Sequence, residues 1–322
     1  MNSYFNKIIK NNKLILTTSL AVTIAVFCVT YYNQRINKQT GCPPAENAPP
    51  VRIASTSLAS DELLARILKE AGQPDRLVAV STLADNPAYS HLAGTLDATR
   101  ARIGDNLESI AALKPDLVVF ANFNRPAITS ALGRMATRTC WLENFSSLAD
   151  IHRNTLMLGD AIGLPGPARV IADQFIADIR AAEQATNILI AQGRDPDEAK
   201  RPRVLSFDGS GTVMAAGTTF DDLVALSGGI NAATAAGMTG WPRITAEAVA
   251  GMAPEVIVLL TDTRTKEDLM GSLEASPGWR DTPAVKNRRY VAPRPADLLA
   301  LSPEVLSVIP SMRAAFLTGG GT

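Results

Sequence analysis

The sequence predicts an α/β protein made of two lobes of similar plan, each with a parallel sheet, joined by one long helix. From residue 51 onward, strand-like and helix-like segments alternate, which is typical of parallel strands covered by helices on both faces. One helix–proline–strand unit occurs twice, as NLESIAALKPDLVVF at 106–120 and TAEAVAGMAPEVIVL at 245–259, and the two copies align with a single offset of 139 residues (247 − 108). Between the two copies, the segment 167–192 has no internal Gly or Pro, so it predicts the helix that joins the lobes.

Length and composition fit this architecture. The 322 residues suffice for two domains with separate cores, and 46% hydrophobic with 19% charged residues is typical of a folded globular protein. Lys and Arg together number 31, as do Asp and Glu, so the net charge is zero and no nucleic-acid-binding surface is expected. The predicted boundaries are 51–165 for the N-terminal lobe, 166–193 for the interlobe helix and 194–322 for the C-terminal lobe.

The first 50 residues differ in kind from the rest. Residues 1–13 carry lysines and no acid, and residues 14–32 contain no charge over 19 positions, close to the roughly 20 that cross a bilayer as a helix. We therefore predict a cytoplasmic basic stub, an uncleaved transmembrane anchor and a periplasmic, extracytoplasmic location for the lobes. A cleaved signal segment and a lipoprotein anchor are the alternatives. Residues 33–50 are polar and proline-rich, which predicts an extended linker.

In the N-terminal lobe, strands are predicted at VRIASTS, RLVAVS, LVVF and RTCWLE. The segment SDELLARILKEAG predicts a helix with Ser60 or Asp61 as its N-cap and Gly72 at its end, and SSLADIHRNTLMLGDAIG predicts another. Cys140, in the last strand, is either a small buried residue or the disulfide partner of Cys42, because an exported chain can keep such a bond.

The C-terminal lobe repeats the alternation. RVLSF predicts its first strand and TTFDDLVALSGG a helix, after which the second copy of the repeated unit follows. The last segments are WRDTPAVKNRRYVAP and PEVLSVIPSMRAAF, and the latter predicts a C-terminal helix. The repeated unit therefore takes matching places in the two lobes.

Four blocks carry a family resemblance: IGDNLESIAALKPDLVV, LVALSGGINA, WPRITAEAVAGMAPEVIVLL and PGWRDTPAVKNRRYV. In this order they resemble the solute-binding proteins of ABC importers that handle ferric siderophores, haem and cobalamin, from about Arg52 to Phe316. The resemblance implies two Rossmann-like lobes bridged by one helix, with a metal chelate held in the cleft between them. It also implies a monomer that docks onto an ABC permease dimer with its ATPase, without catalysis or a covalent cofactor. A ferric siderophore is the first expectation for the ligand, with cobalamin or haem next.

The resemblance also gives the repeated glutamate a role. In the family, a Glu on each lobe pairs with arginines of the permease dimer, and the matching positions here are Glu108 in NLESI and Glu247 in TAEAV. Each lies in the first turn of a predicted helix, where a carboxylate is favoured by the partial positive charge of the helix N-terminus. The alternative is that both glutamates only support the start of their helices.

The residues just after the two repeated strands predict part of the ligand site, because ligands of open α/β sheets bind beyond the carboxyl ends of the strands. LVVF is followed by Asn122 and Arg125, and VIVLL is followed by Arg264, onto which Arg125 falls with the same offset. We expect the two arginines to face each other across the cleft and bind an anionic ligand, because a guanidinium always carries charge and donates bidentately. The alternative is a solvated arginine at a helix start.

Further cleft candidates are Ser57 after the first strand, Tyr89 in DNPAYSHL, Asp208 in SFDGSG and Trp241 in TGWPR. The aromatic residues could stack on a flat or bulky chelate. Tyr89 and His91 could instead ligate a haem iron, and the alternative for that pair is a polar loop with one packed tyrosine.

Three other classes of function compete with solute binding for import. A receptor for free zinc or manganese needs converging His, Asp or Glu side chains, and the chain has only two histidines. An enzyme is not expected, because no Walker loop, HExxH motif or GxSxG elbow is present. A membrane-anchored sensor or scaffold that has lost transport is the runner-up.

Overall fold

The computed structural model describes residues 41–45, 48–97, 99–104, 106–121, 137–192, 201–261 and 264–317. The described residues from Cys42 onward belong to a single compact unit. Among the described residues, no helix is both long and apolar enough to cross a membrane. The predicted anchor at 14–32 and the basic stub before it lie outside the described residues.

The first half of the chain forms a five-stranded parallel sheet with the strand order β3-β2-β1-β4-β5. Its strands are β1 (Ile53–Ser55), β2 (Leu77–Ser81), β3 (Ala101–Ile103), β4 (Leu117–Ala121) and β5 (Arg138–Leu142). The α-helices α1 (Leu58–Glu70) and α2 (Leu107–Ala112) lie between these strands in the chain, and α3 (Leu148–Ala161) follows β5. Strand β4 is buried at every position, which explains why its sequence is apolar throughout rather than alternating.

The second half forms a four-stranded parallel sheet with the order β7-β6-β8-β9. Its strands are β6 (Arg203–Phe207), β7 (Ile230–Asn231), β8 (Val256–Leu259) and β9 (Tyr290–Val291). After helix α4, described below, the further helices are α5 (Thr219–Leu226), α6 (Ala232–Ala235), α7 (Ala246–Met252), α8 (Lys266–Ala275), α9 (Pro283–Lys286), α10 (Pro295–Leu298) and α11 (Ile309–Leu317). The α/β class with parallel sheets is therefore confirmed.

Helix α4 (Pro165–Gln192) packs against both halves of the chain. Ile171 belongs to the apolar core that contains the β1 residue Ile53, whereas Phe175, one turn later, belongs to the core that contains the β6 residue Val204. One helix face thus contributes to two cores, which fixes the two sheets to the same helix. The helix begins at Pro165, two residues before the Pro167 that the sequence suggested, since proline is compatible with the first turn.

The repeated unit forms the same structure in both halves. Lys114 and Ala253, which are equivalent under the offset, both adopt the left-handed conformation, with φ of 47° and 44°. In each copy this residue ends the helix and precedes a proline, which cannot continue it. Neither position is a glycine, although the left-handed conformation is unfavourable for a residue with a side chain.

The acidic residue after that proline binds the backbone at the start of the first strand of its own sheet: Arg52 directly precedes β1, and Arg203 is the first residue of β6. Asp116 Oδ2 accepts hydrogen bonds from the backbone N–H of Arg52 at 2.9 Å, and Glu255 Oε2 accepts one from the N–H of Arg203 at 2.9 Å. The Arg52 guanidinium donates to the carbonyl of Leu113, as that of Arg203 does to the carbonyl that ends helix α7. The repeated acidic residue of the unit therefore has a structural role in both halves of the chain.

Two predicted boundaries are wrong. Helix α1 begins at Leu58 with Ser57 as its N-cap, rather than with Ser60 or Asp61, because β1 runs directly into the helix and Ser57 Oγ accepts from Ser60 N at 3.4 Å. The predicted C-terminal helix is a 3₁₀ turn (Pro303–Val308) followed by α11, whose second residue is Pro310.

The end of the predicted linker packs on the N-terminal lobe. Cys42 forms a disulfide with Cys140 of β5, so the disulfide alternative is the one that the structure contains. Ala45 N donates to Asp160 O at 3.0 Å, and the Arg76 guanidinium donates to the carbonyl of Pro50. A disulfide and several hydrogen bonds thus hold residues 42–45 and Pro50 against the first lobe.

Candidate functional site

Each sheet contains one point at which the strand order reverses. The chain moves from β1 outward to β2 and β3 and then returns to β4 on the other side of β1, and β6 and β8 are related in the same way. The connections therefore leave a crevice at the carboxyl ends of β1 and β4 and another at those of β6 and β8, which is where ligands bind in open α/β sheets.

A cavity of about 360 Å³ lies at the carboxyl edge of the first sheet. It is enclosed by the ends of β1, β2 and β3, the start of α1, and a segment of the second half of the chain at 299–301. The lining residues are Thr56, Ser57, Leu58, Ala59, Glu62, Ser81, Thr82, Leu83, Ile103, Gly104, Leu299, Ala300 and Leu301. The cavity is thus lined both by hydroxyl groups at the N-terminus of the 13-residue helix α1 and by apolar side chains.

The hydroxyl groups at the start of α1 are ordered by one another. The hydroxyl of Ser60 lies 2.7 Å from that of Ser57 and 2.7 Å from that of Ser55, and all three side chains are buried. Ser57 also caps the helix, so its position follows from the geometry of the helix start. The partial positive charge of a helix N-terminus favours an anionic group in this part of the cavity.

Asp61 holds the end of β2 beside the cavity. Its carboxylate accepts from Ser81 N at 3.1 and 3.0 Å and from Ser81 Oγ at 2.5 Å, and the side chain is fully buried. Burial raises the pKa of Asp61 to about 7, although hydrogen bonds from Ser55 and Ser81 lower it. Thr82 and Leu83, which line the cavity, directly follow Ser81 in the chain. By holding Ser81, Asp61 therefore helps to fix the position of these two residues.

Glu62 faces the second half of the chain. Its Oε1 accepts from His91 N at 3.0 Å, its Oε2 accepts from the hydroxyl of Ser302, and only 3% of its surface is exposed. Burial raises the pKa of Glu62, while the hydrogen bonds from Ser302 and His91 lower it. The His91 ring lies beside it, with Nδ1 at 3.4 Å from Glu62 Oε1 and Nε2 at 2.9 Å from Asp297 Oδ1. We call these contacts between α1, residues 88–91 and residues 294–304 the lobe junction.

A family model described as periplasmic binding protein matches residues 53–295. The chain belongs to this family. Its members bind solutes for transport and are not enzymes. The matched range contains both sheets and all but the last three residues of the cavity lining.

Several known proteins resemble this periplasmic binding protein. The "Uncharacterized ABC transporter substrate-binding lipoprotein YvrC" of Bacillus subtilis is 23% identical over 233 residues, which is 68% of this chain and 66% of that relative. Among solved structures, the apo form of the periplasmic heme-binding protein RhuT from Roseiflexus sp. RS-1 has 25% identity and a TM-score of 0.64, covering 83% of this chain and 98% of that one. The vitamin B12 binding protein BtuF of Vibrio cholerae has 20% identity and a TM-score of 0.60, covering 84% and 98%.

Of the residues predicted to line the cleft of this periplasmic binding protein, Ser57 lies in the cavity wall. Tyr89, Asp208, Trp241 and Arg264 are not among the described residues that line it. Asn122 and Arg125 lie outside the described residues, so their places in the site stay predictions. The two ring nitrogens of His91, the other haem-ligand candidate, face carboxylates in the lobe junction.

Three predicted residues lie at the carboxyl edge of the second sheet. Asp208 follows β6 and accepts from Ser210 N at 2.8 Å and Ser210 Oγ at 2.7 Å. Trp241 is 56% exposed, on a loop that hydrogen-bonds to the segment after β6. Arg264 follows β8, and its Nη2 donates to Ser272 Oγ at 2.5 Å and to Asp268 O at 3.2 Å. A Cβ on Gly209 would lie 2.7 Å from Arg264 Nη1, so the guanidinium packs against the turn that holds Asp208.

The sequence reasoning missed most of the cavity wall. Ser81 and Thr82 could have been found, because Ser81 is the last residue of the predicted strand RLVAVS and Thr82 follows it, and Ser57 stands at the end of the first strand in the same way. Glu62 and residues 299–301 gave no such signal, because their role depends on contact between segments about 240 residues apart in the chain.

The two repeated glutamates are exposed. Glu108 lies in the first turn of α2, whose N-cap Asn106 accepts from the backbone N–H groups of residues 108 and 109. Glu247 lies in the first turn of α7, capped by Thr245. Neither carboxylate forms an ion pair with another residue in the part of the chain that the structure describes. Hydrogen bonds from its own backbone N–H and from Thr245 lower the pKa of Glu247.

Proposed function

We propose that this chain is the substrate-binding component of an ABC importer and that it captures a metal chelate in the cavity at the lobe junction. The cavity carries the proposal, because it lies at the carboxyl ends of β1, β2 and β3, the edge of an open sheet at which ligands bind, in a fold whose family binds solutes. The resemblance to the heme-binding protein RhuT and the vitamin B12 binding protein BtuF supports a chelate of the class to which haem, cobalamin and ferric siderophores belong.

The chemistry of the cavity wall favours a ligand with an apolar body and an anionic edge. Leu83, Ile103, Leu299 and Leu301 offer apolar surface, and the hydroxyls at the start of α1 offer donors next to a helix N-terminus. Haem has a flat apolar ring with two carboxylates, and many ferric siderophores are anionic chelates. The wider site in this proposal comprises Ser57, Tyr89, Asn122, Arg125, Asp208, Trp241 and Arg264.

The ligand test is a thermal-shift screen of the full-length protein in detergent micelles against haemin, cyanocobalamin and a panel of ferric siderophores. A ligand at 100 times its Kd stabilises the native state by about 2.7 kcal/mol, which raises the Tm of a chain of this size by roughly 4 °C. Leu83→Asp, at a half-exposed position of the cavity wall, should abolish the shift. Val170→Asp, at a similarly exposed position on α4, is the matched control. No shift with any ligand of the panel would contradict the proposal.

Arg125 and Arg264 are proposed to bind the anionic part of the ligand. The double variant Arg125→Ala with Arg264→Ala should weaken binding of an anionic ligand at least tenfold, because charge-assisted bidentate hydrogen bonds are among the stronger polar contacts. Cyanocobalamin, which carries no net charge, should lose much less. Equal binding of the anionic ligand by the double variant and the unaltered protein would remove these residues from the site.

We propose that Glu108 and Glu247 dock the protein onto a permease dimer. Their equivalent positions in the two lobes and their exposure support this role. The double variant Glu108→Ala with Glu247→Ala should weaken binding to the permease–ATPase complex in nanodiscs. Glu267→Ala is the matched control. Glu267 is also exposed in the first turn of a helix, α8, but it is not proposed to contact the permease. Unchanged affinity of the double variant would exclude docking through these residues.

We propose an extracytoplasmic location, with the chain tethered to the inner membrane through residues 14–32. The disulfide between Cys42 and Cys140 supports the exported location, because such bonds persist in oxidising compartments. The same bond consumes the Cys42 thiol, so lipid could not be attached at that sulfur while the bond is intact. Mass spectrometry of the N-terminal peptides of protein from membranes would distinguish a retained anchor from a cleaved or lipidated one.

A further inference from the structure

We propose that Glu62 is a positioning residue of the ligand cleft: it holds residues 299–301 in place as a wall of the cavity by acting through Ser302 and His91. The inference rests on the proposed function, since it concerns the cleft in which the solute would bind. It assigns Glu62 a role in ligand affinity that does not require contact between its carboxylate and the ligand.

The hydrogen bonds of Glu62 connect two distant parts of the chain. One carboxylate oxygen accepts from the backbone N–H of His91, and the other accepts from the hydroxyl of Ser302. Ser302 is fully buried and follows Leu301 directly, and Leu301 lines the cavity. A displacement of Ser302 therefore moves the wall, and the Glu62 carboxylate is the group that restrains Ser302 from the other lobe.

Other contacts in the lobe junction restrain the same segment. Ala296 N donates to Ala88 O at 2.8 Å, and His91 Nε2 lies 2.9 Å from Asp297 Oδ1. Arg66, one turn after Glu62 on α1, forms an ion pair with Glu304. The cavity-lining residues 299–301 lie between the four-residue helix α10 and the 3₁₀ turn that begins at Pro303, so their position depends on contacts with neighbouring segments more than on hydrogen bonds of a long helix.

A buried carboxylate at this place requires an explanation. Removing an ionised group from water is costly unless hydrogen bonds compensate for it, and an apolar side chain of similar volume would often be as stable or more so. Unlike an apolar side chain, a carboxylate forms directional hydrogen bonds and can accept from two donors at once. Here the two donors, His91 N and Ser302 Oγ, belong to different lobes. Such a group defines one arrangement of the lobes better than apolar packing does.

The competing explanation is direct contact, because Glu62 itself lines the cavity. Ser302 separates the two explanations, since it is not among the described residues that line the cavity and yet it donates to Glu62. If Glu62 acts by positioning, removal of the Ser302 hydroxyl should reproduce the effect of removing the carboxylate. If Glu62 acts by contact with the ligand, the Ser302 variant should bind normally.

The test compares Glu62→Ala, Glu62→Gln and Ser302→Ala in the full-length protein in detergent micelles. Glu70→Ala, an exposed glutamate two turns later on α1, is the control. The first measurement needs no ligand: it is amide hydrogen exchange of residues 294–302, including the Ala296 N–H. The second is the Kd for haemin from a Soret titration, with cyanocobalamin as the second probe.

We expect Ser302→Ala to accelerate exchange in this segment and to raise the Kd, both by about tenfold for one buried hydrogen bond lost. Glu62→Ala, which loses the hydrogen bonds from both His91 N and Ser302 Oγ, should change both quantities at least as much. Glu62→Gln should remain within about threefold of the unaltered protein, because an amide can accept from His91 N and donate to Ser302 Oγ. Glu70→Ala should change neither quantity.

Two results would overturn the inference. One is unchanged exchange of residues 294–302 in both Ser302→Ala and Glu62→Ala. The other is weakened binding in Glu62→Ala with normal binding in Ser302→Ala, which would indicate direct contact. If the unaltered protein binds neither probe, haem and cobalamin are excluded as its ligands, and the exchange measurement still decides the positioning role. If Glu62→Ala does not fold, Ser302→Ala and Glu62→Gln carry the test.

Discussion

Replacing Asp61 with Asn removes a carboxyl group whose pKa burial raises from 3.8 to about 7, despite hydrogen bonds from Ser55 and Ser81 that lower it. Because the pKa is higher in the folded state, the folded protein binds this proton more tightly than the unfolded chain does. The resulting stability is fully present below pH 3.8 and is lost as the pH rises through about 7.

A shift of this size corresponds to roughly 4 kcal/mol of differential stabilisation between the two ends of the window. The slope should approach about 1.4 kcal/mol per pH unit near the middle of the window, since one proton is released on unfolding there. Burial also raises the pKa of Glu62, so its contribution runs in the same direction. That contribution is present with and without Asp61 and largely cancels in the difference.

The assay is urea unfolding of the unaltered protein and of Asp61→Asn at pH values from 4 to 8. Relative to the unaltered protein, the variant should gain stability steadily as the pH rises, because an amide does not lose a proton. A stability difference between the two proteins that stays constant across the range would refute the assignment of a raised pKa to Asp61.

Three further predictions concern the scaffold. Cys140→Ser should lower the unfolding free energy by about 2–5 kcal/mol, because the disulfide closes a loop with a sequence separation of 98 residues; reduction of the unaltered protein should give the same loss in urea unfolding. Gly278→Ala should lower the Tm by several degrees, since the residue has a φ of 84° and a Cβ would lie 2.3 Å from Ala246 O, while Gly271→Ala on an exposed face of α8 should be neutral or stabilising. Ala253→Gly should stabilise by up to about 1 kcal/mol, because glycine tolerates the left-handed conformation better than alanine; a loss of stability in chemical denaturation would contradict this.

The sequence predicted the α/β class and the repeated unit because both depend on local patterns. Buried parallel strands such as β4 are apolar at every position, and a proline after the helix marks the same turn in both copies. The pattern also showed Asp116 and Glu255 at equivalent positions. It did not show that both accept from the backbone at the start of the first strand of their sheet, because Arg52 and Arg203 are separated by 151 residues (203 − 52) rather than by the offset of the unit.

The site was less accessible from sequence because its groups are brought together by tertiary contacts. The sequence predicts Ser60 or Asp61 as the N-cap of α1, because local preference does not distinguish these two residues from Ser57. The strand β1 decides, because it extends the backbone up to Ser57, with φ of −141°. Asp61 and Glu62 look like ordinary residues of a polar first turn, and only the positions of Ser81 and Ser302 make them buried acceptors.

The two lobes share a scaffold but differ where the ligand is expected. In the first lobe, β1 leads through two residues into α1, so the helix N-terminus and its hydroxyls lie directly at the carboxyl edge of the sheet. In the second lobe, β6 leads through residues 208–218 before α5 begins, and that segment pairs with residues 239–244. The helix N-terminus is thereby separated from the strand end, and a turn with the exposed Trp241 beside it occupies that edge. The first lobe therefore offers an anionic group a helix N-terminus at the strand ends, which the second lobe lacks, and the exposed Trp241 of the second lobe offers apolar surface to the ligand.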